Sequence, residues 1–435
     1  MLKRPILWLI LGLSAVCLLC GLLYFLPPVH ARLAWRVENL RVAIRRALNP
    51  PEQVVFVPQE QIDASVLDAI VQATLGAMTP SPGLDPSLTP TLPGATETPP
   101  PSPTPTLTPT PLPEAVALTG IVHEYQKFNN CGPANLAMTL SYWGWPGDQH
   151  DTAAVLRVRE SDKNVSPHEM VAFVEGQTDF KALARVGGDL ETLKRFIAAG
   201  FPVLIEKGYD PEHDDWMGHY LTLSGYDDAQ AHFISQDSLI MPDLPVPYEV
   251  MTERWRDFNH AYILVYPPER EAEVLALLGP QADELANYEY AARQADAETA
   301  ELSGRDLFFA WFNLGSNRVA LGDYAGAAQA YDQAFAVYPA IPEEERPWRA
   351  LWYMDGPYAA YYHTGRYQDV FELANTTFFA LGEYTLEESF YWRGLAKEAL
   401  GDHNWALFDL RSAVELNPNY APAQEALASL EAAVP

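Results

Sequence analysis

The segment from Thr79 to Pro113 is built mainly of Pro, Thr and Ser, with Pro99-Pro100-Pro101-Ser102-Pro103-Thr104-Pro105 as a typical run. Proline removes a backbone donor and fixes φ, and short polar side chains offer little to bury, so this stretch can enter no core. It divides the chain. Of its 435 residues, those after position 113 are numerous enough for more than one domain. The composition predicts an extended, semi-rigid stalk over 79–113, open to O-glycosylation.

Before the stalk, Lys3-Arg4 precedes an uncharged, mostly apolar run from Pro5 to Leu26. At about 1.5 Å per residue a helix of that length spans a bilayer core. We therefore expect an N-terminal transmembrane helix within a membrane anchor at 1–31, then a juxtamembrane helical segment at 32–78. The alternative is a cleaved signal with Val29-His30-Ala31 as its site. Two features disagree on orientation. Arg32, Arg36, Arg41, Arg45 and Arg46 outnumber the two basic residues before the span, which favours a cytoplasmic body. A Pro/Thr stalk favours an outer surface, and the expectation follows the stalk: a single-pass protein of the cell membrane with extracytoplasmic domains.

The formal charge is −29, and residues 1–113 hold seven basic and seven acidic residues, so the remainder carries all of it. Such an acidic body argues against nucleic acid or anionic lipid as its partner. Of the three cysteines, Cys17 and Cys20 lie in the apolar run. Cys131 is the sole thiol of the remainder, which excludes an intramolecular disulfide or a cysteine metal cluster there.

Cys131 stands in Tyr125-Gln126-Lys127-Phe128-Asn129-Asn130-Cys131-Gly132-Pro133-Ala134-Asn135, followed by an apolar stretch. Asn130 suits an N-cap and Pro133 a first helical turn, so the spacing predicts a helix to Tyr142 with Cys131 at its tip. A helix N-terminus favours a thiolate. Gln126 would add an amide donor beside the Cys131 backbone N–H, the two forming an oxyanion hole. Taken alone, a single cysteine is more often a small buried side chain.

Further along, Ser166-Pro167-His168-Glu169 and Asp189 read as helix starts, and Val203-Leu204-Ile205 as a short strand. The alternating stretches 219–226 and 231–237 flank Asp227-Asp228-Ala229-Gln230, the pattern of a β-hairpin. Pairing centred on Asp228 would set His219 directly opposite Asp237, with Cβ atoms about 5 Å apart on one face. A carboxylate there fixes the imidazole tautomer and raises its basicity. His213, Asp214, Asp215 and His219 lie close in sequence without the helical spacing of a metal site, so no metal and no cofactor is expected.

Gln126, the Asn-Cys-Gly-Pro-Ala motif, Gly218-His219-Tyr220 and Asp237 resemble the papain-like cysteine peptidases of the bacteriocin-processing, double-glycine type. The resemblance covers about 119–267, within a domain set at 114–268, and includes Trp255 to Tyr266 as a closing strand. It implies an α+β papain-like fold and amide hydrolysis through a thioester. The roles it implies are Cys131 as nucleophile, His219 as base and acid, Asp237 as orienter and Gln126 as oxyanion donor. Gln126 stands five residues before the cysteine where such enzymes often have six, and Asp237 is followed by Ser-Leu rather than the common Pro. Transporters bearing such domains have six spans and an ATPase, both lacking here.

From about Leu302 the chain resembles tetratricopeptide repeats. Trp311, Leu314, Gly315, Gly322, Tyr324, Ala327, Tyr331, Ala334 and Pro339 form one copy; Gly394, Gly401, Ala406, Leu410, Ala413 and Pro418 form the last. A degenerate copy surrounds Tyr361, Gly365 and Tyr367. The resemblance implies an all-α solenoid, with 269–435 comprising a helical linker and the repeats, and a protein or peptide partner. The leading expectation is a membrane-anchored cysteine peptidase acting on a peptide or protein. Its rivals are a catalytically inactive scaffold binding proteins at the envelope, and an acyl transferase using the same thioester.

Overall fold

The computed structural model describes residues 55–58, 111–159, 164–211, 214–381 and 384–433. The expected transmembrane helix and most of the juxtamembrane segment and stalk lie outside these residues. Among the described residues no helix is long and apolar enough to cross a membrane.

The first half is a seven-stranded antiparallel sheet with helices on both faces, an α+β arrangement. The strands are β1 (Ala115–Ala117), β2 (Lys181–Arg185), β3 (Val203–Tyr209), β4 (Met217–Asp227), β5 (His232–Gln236), β6 (Leu244–Pro247) and β7 (Tyr262–Tyr266). They lie in the order β2-β7-β3-β4-β5-β6, and β1 pairs with the far end of β4. The closing strand is shorter than Trp255 to Tyr266, because Trp255 and Arg256 end a helix whose apolar side packs under the sheet.

Helices α1 (Cys131–Tyr142), α2 (Gln149–Leu156) and α3 (Pro167–Gln177) cover one face. Leu136, Leu140, Met170, Phe173 and Val174 meet Leu204, Tyr220, Ile263 and Val265 there. On the other face α4 (Leu190–Ala198), α5 (Tyr248–Arg256) and α6 (Glu271–Leu278) set Leu193, Phe196, Met251, Trp255 and Val274 on Val203, Ile205, Leu221, Leu223 and Leu264. Alternate residues of β3 and β7 feed opposite cores, as a strand buried on both faces requires. At about 1.5–3 kcal/mol per fully buried large side chain, these two layers are the main stabilising term. Start signals hold locally: Ser166 accepts from Glu169 N at 3.3 Å in a reciprocal capping box, and Asp189 accepts from Thr192 N at 2.6 Å.

The second half is helical: α7 (Glu284–Glu301), α8 (Gly304–Ala320), α9 (Tyr324–Val337), α10 (Gly356–His363), α11 (Tyr367–Leu381), α12 (Glu387–Ala399), α13 (His403–Leu416) and α14 (Ala421–Ala433). Three inter-helix turns pass through Gly322, Gly365 and Gly401 at φ of +77°, +78° and +86°. That left-handed conformation is why the glycine recurs. The middle copy is irregular because Pro357 opens a short α10 after an insertion of 3₁₀ turns between 338 and 352.

This insertion reaches back to the sheet. Buried Arg349 donates to the carbonyls of Asp215 and Trp216 at 3.2 and 3.3 Å and to Asp214 Oδ1 at 2.9 Å. The indole of Trp216 lies among Phe258, Phe309 and Tyr353. The helical half thus grips the strand that carries His219, three residues before it.

Candidate active site

The site begins at the tip of α1. Asn130 occupies the N-cap position, but its side chain makes no capping hydrogen bond. Nδ2 donates to Gln149 Oε1 at 3.0 Å, and Oδ1 accepts from Arg157 Nη1 at 3.2 Å. Diverting the cap leaves the first-turn donors for the sulfur. The N–H of Gly132 points to Cys131 Sγ, and so does the N–H of Tyr220 from β4.

The latter contact arises because β5 leaves the sheet after Gln236. Thr222 is the last β4 residue it pairs, and the α1 tip takes the vacated edge of the strand. Tyr220 therefore gives its N–H to the sulfur, and its carbonyl accepts from Asn135 Nδ2 at 2.8 Å. One strand edge thereby carries His219 to the thiol.

His219 Nε2 lies 3.0 Å from Asp237 Oδ1, with both side chains almost wholly buried. That contact leaves Nδ1 as the ring nitrogen for the hydrogen bond that joins the ring to Cys131. Asp237 Oδ1 also accepts from the N–H groups of Leu239 and Ile240, at 2.8 and 3.1 Å.

The hairpin register differs from the expected one. Asp227 pairs with His232 and Gly225 with Ile234, which displaces the turn toward the C-terminus. Continued unbroken, that frame would set Asp237 beside Thr222, on the opposite face from His219. A β-bulge between Leu223 and Gly225 leaves Ser224 unopposed and restores the phase, so Leu223 pairs with Ser235 and Thr222 with Gln236. Asp237 then follows beside Leu221, on the same face as His219. The two residues meet diagonally rather than directly opposite.

Gln126 belongs to the same constellation. Its backbone N–H donates to Ser238 O at 2.8 Å, and its Oε1 accepts from Ser238 Oγ at 2.7 Å. That hydroxyl accepts from Asn135 Nδ2 at 2.9 Å, and the same amide reaches Cys131 O at 2.9 Å. With Oε1 engaged, the Gln126 amide has a fixed sense and Nε2 is its remaining donor. Asn135 and Ser238 escaped the sequence reading. The available signals were an Asn one helical turn beyond Cys131 on a buried helix, and Ser in place of Pro after Asp237. His123 has Nε2 2.9 Å from Asp237 O.

The electrostatics are mutually consistent. Burial opposes a charged imidazole at His219, but the charge and hydrogen bond of Asp237, with the Cys131 sulfur, outweigh it and push the ring up to about 9. Burial also opposes the thiolate. The His219 hydrogen bond and charge and two backbone donors prevail, and Cys131 lies below its ordinary value. Asp237 is lowered too, burial being outweighed by His219 and the Leu239 and Ile240 donors. These directions describe a thiolate–imidazolium pair backed by a carboxylate.

Nearby, the polar continuation of β3 through Glu206 and Lys207 is buried, a strand extension the short Val203–Ile205 reading did not include. Burial drives Glu206, near the sulfur, well above the carboxylate range. Tyr220 donates to Val165 O at 2.9 Å and also hydrogen-bonds to Glu206.

Other titratable residues of the domain lie elsewhere. Asp214 serves Arg349, Asp228 meets Lys194 and Tyr248, and His232 pairs with Pro247 at the far end of β5. His213 is outside the described residues, among which no group of His, Cys, Asp or Glu suits a metal ion.

Residues 118–263 match the family model described as Peptidase_C39 like family, and residues 310–341 and 387–420 match the tetratricopeptide repeat. A crystal structure of a protein from Bacillus anthracis, named provisionally as a C39-like peptidase, is similar at 20% identity. The match covers 35% of this chain and 98% of that one, with a TM-score of 0.30. No curated protein matches the chain. The chain carries a Peptidase_C39-like domain together with tetratricopeptide repeats, which suggest protein interactions.

Proposed function

We propose that this chain, a Peptidase_C39-like domain joined to tetratricopeptide repeats, is a cysteine peptidase held at the cell membrane by its N-terminal segment, with its folded part outside the cytoplasm. The repeats bring a protein or peptide to the site. The observation that carries the proposal is the alignment of Cys131, His219 and Asp237 with all three charges favouring the ion pair.

In this reading the Cys131 thiolate adds to the carbonyl carbon of a peptide bond. The oxygen gains the negative charge and takes hydrogen bonds from the Cys131 backbone N–H and Gln126 Nε2. Collapse of that adduct breaks the C–N bond as the imidazolium of His219 gives its proton to the departing amine. A thioester remains on the sulfur. Water then attacks it with His219 taking a proton; the C–S bond breaks, and the acid and the thiolate–imidazolium pair are released. Asp237 holds Nε2 throughout, so Nδ1 faces the reacting atoms.

Alkylation tests this. Labelling of Cys131 by iodoacetamide, followed by mass spectrometry, is expected to rise with pH less steeply than that of an ordinary thiol, because its thiol lies below the ordinary value. In His219→Ala the rate should rise about tenfold per pH unit, as for an ordinary thiol of pKa near 8.5. Wild-type labelling that climbs in the same way would overturn the proposal.

A further inference from the structure

Residues 55–58, Val-Phe-Val-Pro, lie against the repeats. Phe56 is 6% exposed and meets Phe335 edge-on, with centroids 5.0 Å apart, and Tyr361 at 6.3 Å. Val57 beside it is 66% exposed. The segment joins no sheet. One aromatic side chain points in and its neighbour points out, the way an extended peptide is read by a side-chain pocket.

The pocket is built before it is filled. Tyr361 donates to Asp332 Oδ1 at 2.9 Å, and the Arg366 guanidinium stacks 4.1 Å from its ring. Arg366 also holds Asp332 through two bonds, at 2.8 and 3.0 Å. Phe335 is backed by Phe312 of α8 at 6.4 Å. One wall thus belongs to α9 and the other to α10, and buried ion pairs fix both.

We propose that the cleft between α9 and α10 is a docking site for an extended segment carrying a phenylalanine between aliphatic residues, and that residues 55–58 occupy it within the same chain.

The test uses the full chain in detergent and a fluorescein-labelled Val-Val-Phe-Val-Pro-Gln peptide. Phe56→Ala frees the cleft and should bind the peptide saturably, at least tenfold more tightly than wild type, whose cleft is filled. Adding Tyr361→Leu to Phe56→Ala should abolish that gain. Equal binding by wild type and Phe56→Ala would overturn the proposal. A second measurement covers a variant that folds poorly: a protease site placed at Thr79 in the otherwise wild-type chain. After cutting, the fragment ending at the new site should stay with the body and be displaced by excess unlabelled peptide. Release without competitor would equally overturn the proposal.

Discussion

Two aspartates, equally hidden from solvent, are used in opposite ways. Asp409 of α13 accepts from Arg393 Nε and Nη2 at 2.8 Å and lies 2.7 Å from Lys397 Nζ. Its charge is fully answered by residues of one neighbouring helix, and the group rivets α12 to α13. Asp237 of the sheet domain faces one imidazole, and that imidazole faces a thiol. Its charge passes along to a sulfur instead of closing on itself. A buried charge surrounded by fixed cations is structural. A buried charge held by a proton carrier is poised to react.

The largest expected effect is the one that separates these uses. Cys131→Ala should remove all turnover of a cleavable peptide at a cost of only a few degrees in Tm, because Asp237 still answers the imidazole when the sulfur is gone. Asp409→Ala should do the reverse. It strands two buried cations and should cost about 3–5 kcal/mol in a denaturant titration, with turnover per folded molecule unchanged.

Ser238→Ala comes next. Losing the hydroxyl frees the Gln126 amide to flip, so kcat should fall about 10- to 100-fold with KM unchanged, and Ser238→Thr should recover most of it. An equal loss in the Thr variant would assign Ser238 to packing alone.

The pH profile sharpens the contrast further. His219 must be protonated, and its pKa is pushed up to about 9, so kcat/KM should fall as pH rises through about 9. Asp237→Asn removes the charge that raises the ring, and should bring that limb down toward about 6.5.

The smallest effect concerns Asp257, whose Oδ2 accepts from Trp216 Nε1 at 2.8 Å while Oδ1 has no partner. Burial, opposed by that bond and by Arg254, pushes it up to about 8. Its folded-state pKa lies above the ordinary carboxylate value of about 4, so its stabilising contribution is complete below about 4 and lost as pH rises through about 8. Asp257→Asn should remove that loss and raise Tm by a few degrees at pH 7.5, without the gain at pH 4.

Much of this was legible in the sequence where the cause is local. Gly322, Gly365 and Gly401 announce left-handed turns, Ser166 and Glu169 a capped helix, and Cys131 with Pro133 a helix tip. The strand pair bearing His219 and Asp237 was legible from its alternation. Its register was not, because the bulge depends on Gln236 Nε2 reaching Ser224 Oγ at 3.0 Å and on Leu118 N binding Ser224 O at 2.7 Å. Glu206 and Lys207 follow the apolar Val203–Ile205 run, and nothing local marks them as buried until Tyr220 and the site carboxylates are folded around them. Asn135 and Ser238 are 103 positions apart, so no local pattern could join them.

The unopposed Ser224 tells which length changes the site can bear. Deleting it would straighten the ribbon yet leave Leu223 opposite Ser235, and so keep the carboxylate at 237 on the imidazole's side. A single residue added between Ser235 and Asp237 meets no such slack: it would carry the carboxylate to the other side and leave the imidazole without its counter-charge. Length changes at the kink should therefore be tolerated, and single ones beyond it refused.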